Sequence, residues 1–149
     1  MKPEVIQIVT LAITLIGIVV AIITIIVQSN MTRKQMRLNF FADYTKRYQE
    51  IILNFPETIN QSDFDYSKLE PEVRDKTLRY MRAYFDLCSE EFYLSQSKRI
   101  ESEIWEEWSE GIKYTFSKKA FRDAWEIVNL DSKFYSQFKA WVEKELLNS

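Results

Sequence analysis

The chain has 149 residues, with 20 basic and 22 acidic side chains and no histidine, so its formal net charge near pH 7 is −2. This balance lacks the basic excess of nucleic-acid-binding proteins, and we expect no direct nucleic-acid binding. The absence of histidine removes the commonest general base and metal ligand, together with every Ser-His and Cys-His nucleophile pair. The composition therefore predicts a protein that is not an enzyme and that holds no cofactor or metal.

The first predicted element is an apolar helix at the N-terminus. Val5 to Val27 form 23 consecutive residues without a charge. At about 1.5 Å per residue, such a helix exceeds the roughly 30 Å hydrocarbon core of a bilayer. A signal peptide is the alternative, but its apolar region usually has about 7 to 15 residues and ends in small residues. We therefore predict a transmembrane helix over residues 1–28.

Basic residues beside this segment predict its orientation. The N-terminal flank carries only Lys2, whereas the C-terminal flank carries five basic residues, namely Arg33, Lys34, Arg37, Lys46 and Arg47. Because positive charge is retained on the cytoplasmic side, we expect the N-terminus outside a bacterial inner membrane and the rest of the chain in the cytoplasm. Arg33, Lys34 and Arg37 are predicted to contact lipid headgroups or to lie at a pore mouth.

Small and polar residues recur every three or four positions within the apolar helix. We name them the small-residue stripe: Gln7, Thr10, Thr14, Gly17, Ala21, Thr24 and Gln28. Lipid gives helices no hydrophobic reason to pair, so small residues and hydroxyls are what permit close helix contacts. The stripe predicts the seam of a homo-oligomer, or the lining of a lumen in a ring of helices. The alternative is that the threonine hydroxyls donate to carbonyls of their own helix.

Beyond the apolar segment the sequence predicts helix almost throughout. The chain has two glycines and three prolines, and none of them lies between Gly17 and Pro56. The first helix is therefore predicted to continue as a stalk over residues 29–55. A polar stretch after Pro56 predicts a connector, and residues 56–149 predict a cytoplasmic helical bundle. The predicted fold is all-α.

Apolar residues at helical spacing predict one buried face on the stalk and four on the bundle helices. The bundle helices are predicted to start at Pro71, after the interruption "SQSKRIES", near Ser117 and near Ser132. Most aromatic residues are assigned to the core, with Trp105, Trp108 and Tyr114 as alternatives for a recognition surface. The predicted faces are Phe41, Tyr44, Tyr48, Ile51 and Phe55; Leu78, Met81, Phe85, Cys88 and Phe92; Ile104, Trp105, Trp108 and Ile112; Phe121, Trp125 and Val128; Tyr135, Phe138, Val142 and Leu146.

An acidic ladder is the strongest candidate for a chemical site. Glu103, Glu106, Glu107 and Glu110 share one helix face, where carboxylates could hold Mg²⁺ or Ca²⁺. Di-iron bundle sites add Glu-x-x-His, which the chain lacks. We predict that the ladder is the solvated side of an amphipathic helix, and we interpret Glu90 and Glu91 in the same way. Cys88, on an apolar face, is predicted to be a buried and unreactive thiol.

The order of one apolar span, a basic exit, "FFADYTKRY", "YFDLCSEEFYL" and "IWEEWSEGI" resembles small bacterial membrane-anchored helical proteins. Within that group, the layout resembles the accessory membrane protein of type VI-B CRISPR systems. The resemblance implies a ring-shaped oligomer in the inner membrane that opens a pore during antiphage defence, functionally linked to an RNA-guided CRISPR effector. A divergent HEPN nuclease has also been attributed to that family, but its motif requires a histidine that this chain lacks. The rival hypothesis is a membrane anchor whose bundle docks a soluble partner.

Overall fold

A computed structural model describes residues 2–134 and 136–147. In this part of the chain the elements are five α-helices, two 3₁₀ helices and a π-helical turn, with no β-strand. The predicted all-α class is thus confirmed. The helices are α1 (Pro3–Ile52), α2 (Pro71–Gln96), α3 (Ser102–Phe116), α4 (Lys119–Val128) and α5 (Ser136–Val142).

The chain divides into two compact units, and the boundary between Ala42 and Asp43 falls within α1. The prediction that the apolar helix continues into a stalk is confirmed, since Pro3–Ile52 is a single helix. That helix ends at Ile52, a few residues before the predicted limit at residue 55. Turn hydrogen bonds follow, in which the backbone N–H groups of Asn54 and Phe55 donate to carbonyls three residues earlier.

The first unit contains the apolar part of α1, and none of its hydrophobic side chains is buried. All described residues before Asp43 are exposed, including those from Val5 to Val27. Within the described residues, α1 is the one helix that is long and apolar enough to cross a membrane, judged by its length and composition. Phe41, predicted on the buried face of the stalk, is 46% exposed.

The second unit is built around α2, whose buried residues are mostly apolar. Pro71 occupies its first turn, where the missing N–H is not needed. Met81 and Phe85 have no exposed surface, and the ring of Phe85 makes an edge contact with that of Trp125 on α4 at 5.1 Å. Trp125 in turn contacts Phe138 on α5 at 5.8 Å. These contacts join three helices in one aromatic core.

Most of the predicted inner faces are confirmed. The buried members are Tyr44, Ile51, Met81, Phe85, Cys88, Phe92, Ile112, Phe121, Trp125, Val128, Phe138 and Val142. Those packed against the core but partly exposed are Phe55, Leu78, Trp105, Trp108 and Leu146. Tyr48 remains 43% exposed. Tyr135 lies outside the described residues.

The connector between α1 and α2 differs from its prediction as a polar loop. It contains the 3₁₀ helices Glu57–Asn60 and Tyr66–Lys68, and it buries Ile59, Phe64 and Tyr66. The Tyr66 hydroxyl donates to the carbonyl of Ala120 on α4 at 3.1 Å. The connector is therefore part of the core.

The boundaries of the later helices also differ slightly from the predicted ones. α2 ends in a turn where Arg99 N–H donates to Leu94 O and Lys98 N–H donates to Ser95 O, a Schellman arrangement with Lys98 at φ 54°. α4 begins at Lys119 rather than near Ser117, because Ser117 caps α3 through its N–H. α5 begins at Ser136 rather than near Ser132 and continues into the π-helical turn Glu143–Leu147.

Candidate functional site

The threonines of the small-residue stripe have local hydrogen-bond acceptors. Each of their hydroxyls donates to the carbonyl four residues earlier: Thr10 to Ile6 at 2.9 Å, Thr14 to Thr10 at 2.8 Å and Thr24 to Val20 at 2.8 Å. These are the bonds of the alternative interpretation, in which the threonine hydroxyls donate to carbonyls of their own helix. They satisfy the donor of each hydroxyl and leave its oxygen able to accept a further bond.

The small members of the stripe leave room beside the helix. A methyl group added at Gly17 would meet no atom within 4 Å, and Ala21 is exposed one turn later. Small residues at this spacing let a second helix backbone approach closely in a bilayer. The basic residues after the stripe, Arg33, Lys34 and Arg37, are also exposed.

The acidic ladder lies on α3 as exposed carboxylates. Glu103, Glu106, Glu107 and Glu110 all face solvent, and Glu110 accepts a hydrogen bond from Lys113 at 2.7 Å. Among the described residues no three His, Cys, Asp or Glu side chains are grouped so that they could hold a metal ion.

The three aromatic residues considered for recognition have different environments. Trp105 and Trp108 are half-buried, with Trp105 against Phe92 and Trp108 stacked on Tyr44 at 5.4 Å. Tyr114 is 67% exposed, and the ammonium of Lys118 lies 4.3 Å from its ring centroid. Only Tyr114 therefore presents most of its surface to solvent.

Glu91 departs most clearly from its prediction. The sequence predicts a solvated charge at this position, yet only 8% of the residue is exposed. Burial, opposed by Arg47 and reinforced by Glu90, raises the pKa of the Glu91 carboxyl to about 8. In the described part of the chain, no residue donates a hydrogen bond to this carboxyl. An isolated buried carboxyl is costly, and such groups occur often at functional sites.

Glu91 lines a cavity of about 170 Å³ between three helices of the second unit. The last turns of α1 contribute Tyr44 and Tyr48, and α3 contributes Trp108 and Gly111. α2 supplies the floor beside Glu91, which includes the fully buried Cys88. The prediction of a buried Cys88 is confirmed, and burial raises its thiol pKa well above the usual range.

Glu90, the neighbour of Glu91, has the opposite environment. Its carboxylate accepts two hydrogen bonds from the Arg47 guanidinium, at 2.8 and 3.3 Å, and one from the Tyr44 hydroxyl at 3.2 Å. Burial, followed by the Glu90 charge, raises the pKa of Tyr44 to about 12, so its hydroxyl remains a donor. The hydrogen bonds of Arg47 thus go to Glu90, and only its charge acts on Glu91. The Glu91 carboxyl is therefore unmatched in the sense that no described residue donates a hydrogen bond to it.

Helical spacing contains the signal that finds Glu91. It follows Tyr84 by seven residues and Cys88 by three, so it shares their buried face, whereas Glu90 is rotated toward solvent.

Comparison with protein-family models, curated proteins and solved structures finds no match to this chain.

Proposed function

We propose that the protein is a single-pass membrane protein that assembles through α1 into a homo-oligomeric pore or another membrane-permeabilising assembly. The observation that carries this proposal is the uncharged segment Val5–Val27, in which every side chain is exposed and the small-residue stripe repeats along one line. Exposed isoleucine and valine suit contact with lipid, and the stripe suits contact between helices or with a water-filled lumen.

The proposed topology places the N-terminus outside a bacterial inner membrane and the second unit in the cytoplasm. The excess of Arg and Lys after the apolar segment supports this orientation. A role in antiphage defence beside an RNA-guided CRISPR effector is the expectation that the sequence resemblance adds. In that setting the protein would be an effector without catalytic chemistry of its own.

A second candidate is a membrane anchor whose helical bundle docks a soluble partner. The observation that favours it is the local hydrogen bonding of Thr10, Thr14 and Thr24, because a hydroxyl that donates within its own helix can face lipid. Under this candidate the stripe forms a dimer seam or faces lipid, and replacing its threonines leaves function intact.

The first test is the subunit number of the full-length protein in detergent, measured by mass photometry or light scattering. A defined oligomer of about five subunits or more has enough helices to surround a lumen. A monomer or dimer would contradict the pore and leave the anchor.

The second test is conductance after reconstitution in planar bilayers. A Thr14→Leu and Thr24→Leu double variant should lose conductance while it still inserts, because leucine removes two polar layers from the lumen. The matched control is Ile13→Leu with Ile23→Leu, which changes the adjacent positions outside the stripe and should conduct normally. Unchanged conductance in the threonine variant would overturn the pore.

A further inference from the structure

We propose that the cavity between α1, α2 and α3 binds a small primary ammonium ion with an apolar body, with the Glu91 carboxylate as its counterion. This site lies wholly in the second unit and is independent of the pore proposal. Three observations carry it: the unmatched buried acid, the composition of the walls and the volume of the cavity.

The first observation is the position of Glu91. Only 8% of this residue is exposed, and its side chain lines the cavity. Among residues 2–134 and 136–147 it receives no hydrogen bond, and the cation whose charge acts on it is Arg47. The nearby guanidinium of Arg47 donates to Glu90 instead. A ligand that brings both a positive charge and an N–H donor supplies what this carboxylate lacks.

The second observation is the wall of the cavity. Aromatic and aliphatic side chains surround Glu91, including Tyr48, Tyr84 and Trp108. One face of Tyr44 packs against Trp108, and the Arg47 guanidinium carbon lies 5.2 Å from its ring centroid. Tyr48, which is 43% exposed, is therefore the most accessible ring of the wall. Aromatic walls attract cations through the ring quadrupole and accept hydrocarbon, which suits an alkylammonium ion better than a hydrated metal ion.

The third observation is size and access. The cavity volume of about 170 Å³ is similar to the roughly 150 Å³ engineered apolar cavity that holds benzene. Its lining includes the exposed residues Glu107 and Gly111, which therefore lie at its mouth. The Glu107 carboxylate adds negative charge at the entrance, and Gly111 keeps the entrance free of a side chain.

The binding is expected to depend on pH because the cation requires the ionised form of Glu91. Burial raises the pKa of this carboxyl to about 8, while an alkylammonium ion stays protonated up to about pH 10. Affinity should rise with pH by up to about tenfold per unit below the carboxyl pKa, and then level off. The other ionisable groups facing Glu91 are Tyr44, Arg47 and Tyr48 on α1, Tyr84, Cys88 and Glu90 on α2, and Glu107 on α3.

The probe for this site is cyclohexylammonium, and the control ligand is its uncharged analogue cyclohexanol. Titration calorimetry of the full-length protein in detergent should give saturable binding at about pH 8.5, with a dissociation constant on the order of 0.1 to 1 mM. Cyclohexanol should bind at least tenfold more weakly. Tetramethylammonium, which has a charge but no N–H donor, should also bind more weakly than cyclohexylammonium.

Two variants locate the probe. Glu91→Gln keeps the shape of the side chain and should weaken cyclohexylammonium binding at least tenfold, with loss of its pH dependence and no change for cyclohexanol. Gly111→Leu should abolish binding of both compounds, because the leucine side chain fills the mouth of the cavity. The fold can accept this change, since a Cβ added at Gly111 meets no atom within 4 Å. Circular dichroism checks that both variants are folded.

The proposal is overturned if cyclohexylammonium shows no saturable binding up to about 10 mM. It is also overturned if Glu91→Gln binds the amine as tightly as the natural protein, or if folded Gly111→Leu retains binding, since the probe would then occupy another place. None of these results bears on conductance, so failure here and failure of the pore remain distinguishable.

Discussion

The apolar part of α1 and the core of the second unit use the same classes of side chain in opposite environments. The large hydrophobic residues between Val5 and Val27 are each 43 to 68% exposed, whereas Met81 and Phe85 have no exposed surface. Burial of apolar surface contributes about 25 cal/mol per Å². The second unit obtains this contribution within one chain. Under the proposed function, the apolar segment would obtain it from lipid or from other helices.

This difference teaches where the stability of each region comes from. Substitutions in the second unit should change the free energy of unfolding in any solvent that permits folding. Substitutions in the apolar segment should instead change membrane insertion or the association of chains. The experiments below use this separation and run from the largest expected effect to the smallest.

Truncation of Phe85 should have the largest effect on the second unit. Its ring packs against Tyr84, Phe116 and Trp125 with no exposed surface. Phe85→Ala should lower the free energy of unfolding by about 3 to 5 kcal/mol through lost contacts and a residual cavity. Chemical denaturation of the full-length protein in detergent measures the loss. Leu130→Ala, at a residue that is 87% exposed, is the control and should change it by less than about 0.5 kcal/mol.

A charge placed in the apolar segment should act on insertion and not on the second unit. Ile16→Lys, near the middle of the segment, should cost about 2.5 to 3.5 kcal/mol on the translocon scale. The membrane-bound fraction after alkaline extraction of cells should fall, while Ile16→Val should remain bound. Equal retention of the lysine variant would contradict a spanning segment.

Glu91 should make the second unit less stable as pH rises. Burial raises the pKa of this carboxyl from 4.5 to about 8, so the folded state holds its proton more tightly than the unfolded state. Stability from this group is therefore present below about pH 4.5 and declines as pH increases toward about 8. Between about pH 5.5 and 7.5 the natural protein should lose about 2 to 3 kcal/mol relative to Glu91→Gln.

Denaturation of both proteins at each pH, in buffer without amines, isolates this effect because the other titrating groups are shared. The ion pair in which Arg82 Nη2 donates to both carboxylate oxygens of Asp131, for example, involves no residue that differs between the two proteins. Parallel pH profiles for the two proteins would contradict an unmatched buried acid.

The sequence predicts those parts of the fold in which apolar residues recur at helical spacing. Met81, Phe85 and Cys88 follow one helix face, and all three are buried. Ile59, Phe64 and Tyr66 lie in a connector without a period, so their burial depends on tertiary contacts that spacing does not encode. The same reasoning applies to the site. Spacing places Glu91 beside Cys88, but its environment requires α1 and α3 to close the cavity.

The two glycines of the chain allow the same substitution in both regions, with the smallest expected effect in the second unit. Gly17 and Gly111 are both helical, and a Cβ at either meets no atom within 4 Å. Gly111→Ala should therefore raise the free energy of unfolding by about 0.5 to 1 kcal/mol through helix propensity alone. Gly17→Ala gains the same propensity, but close packing of α1 helices at the stripe would place the new methyl group in a neighbouring backbone. Mass photometry should then show a smaller oligomer for Gly17→Ala and no change for Gly111→Ala. An unchanged oligomer in both would mean that Gly17 faces lipid, and the stripe would lose its role as a seam at that position.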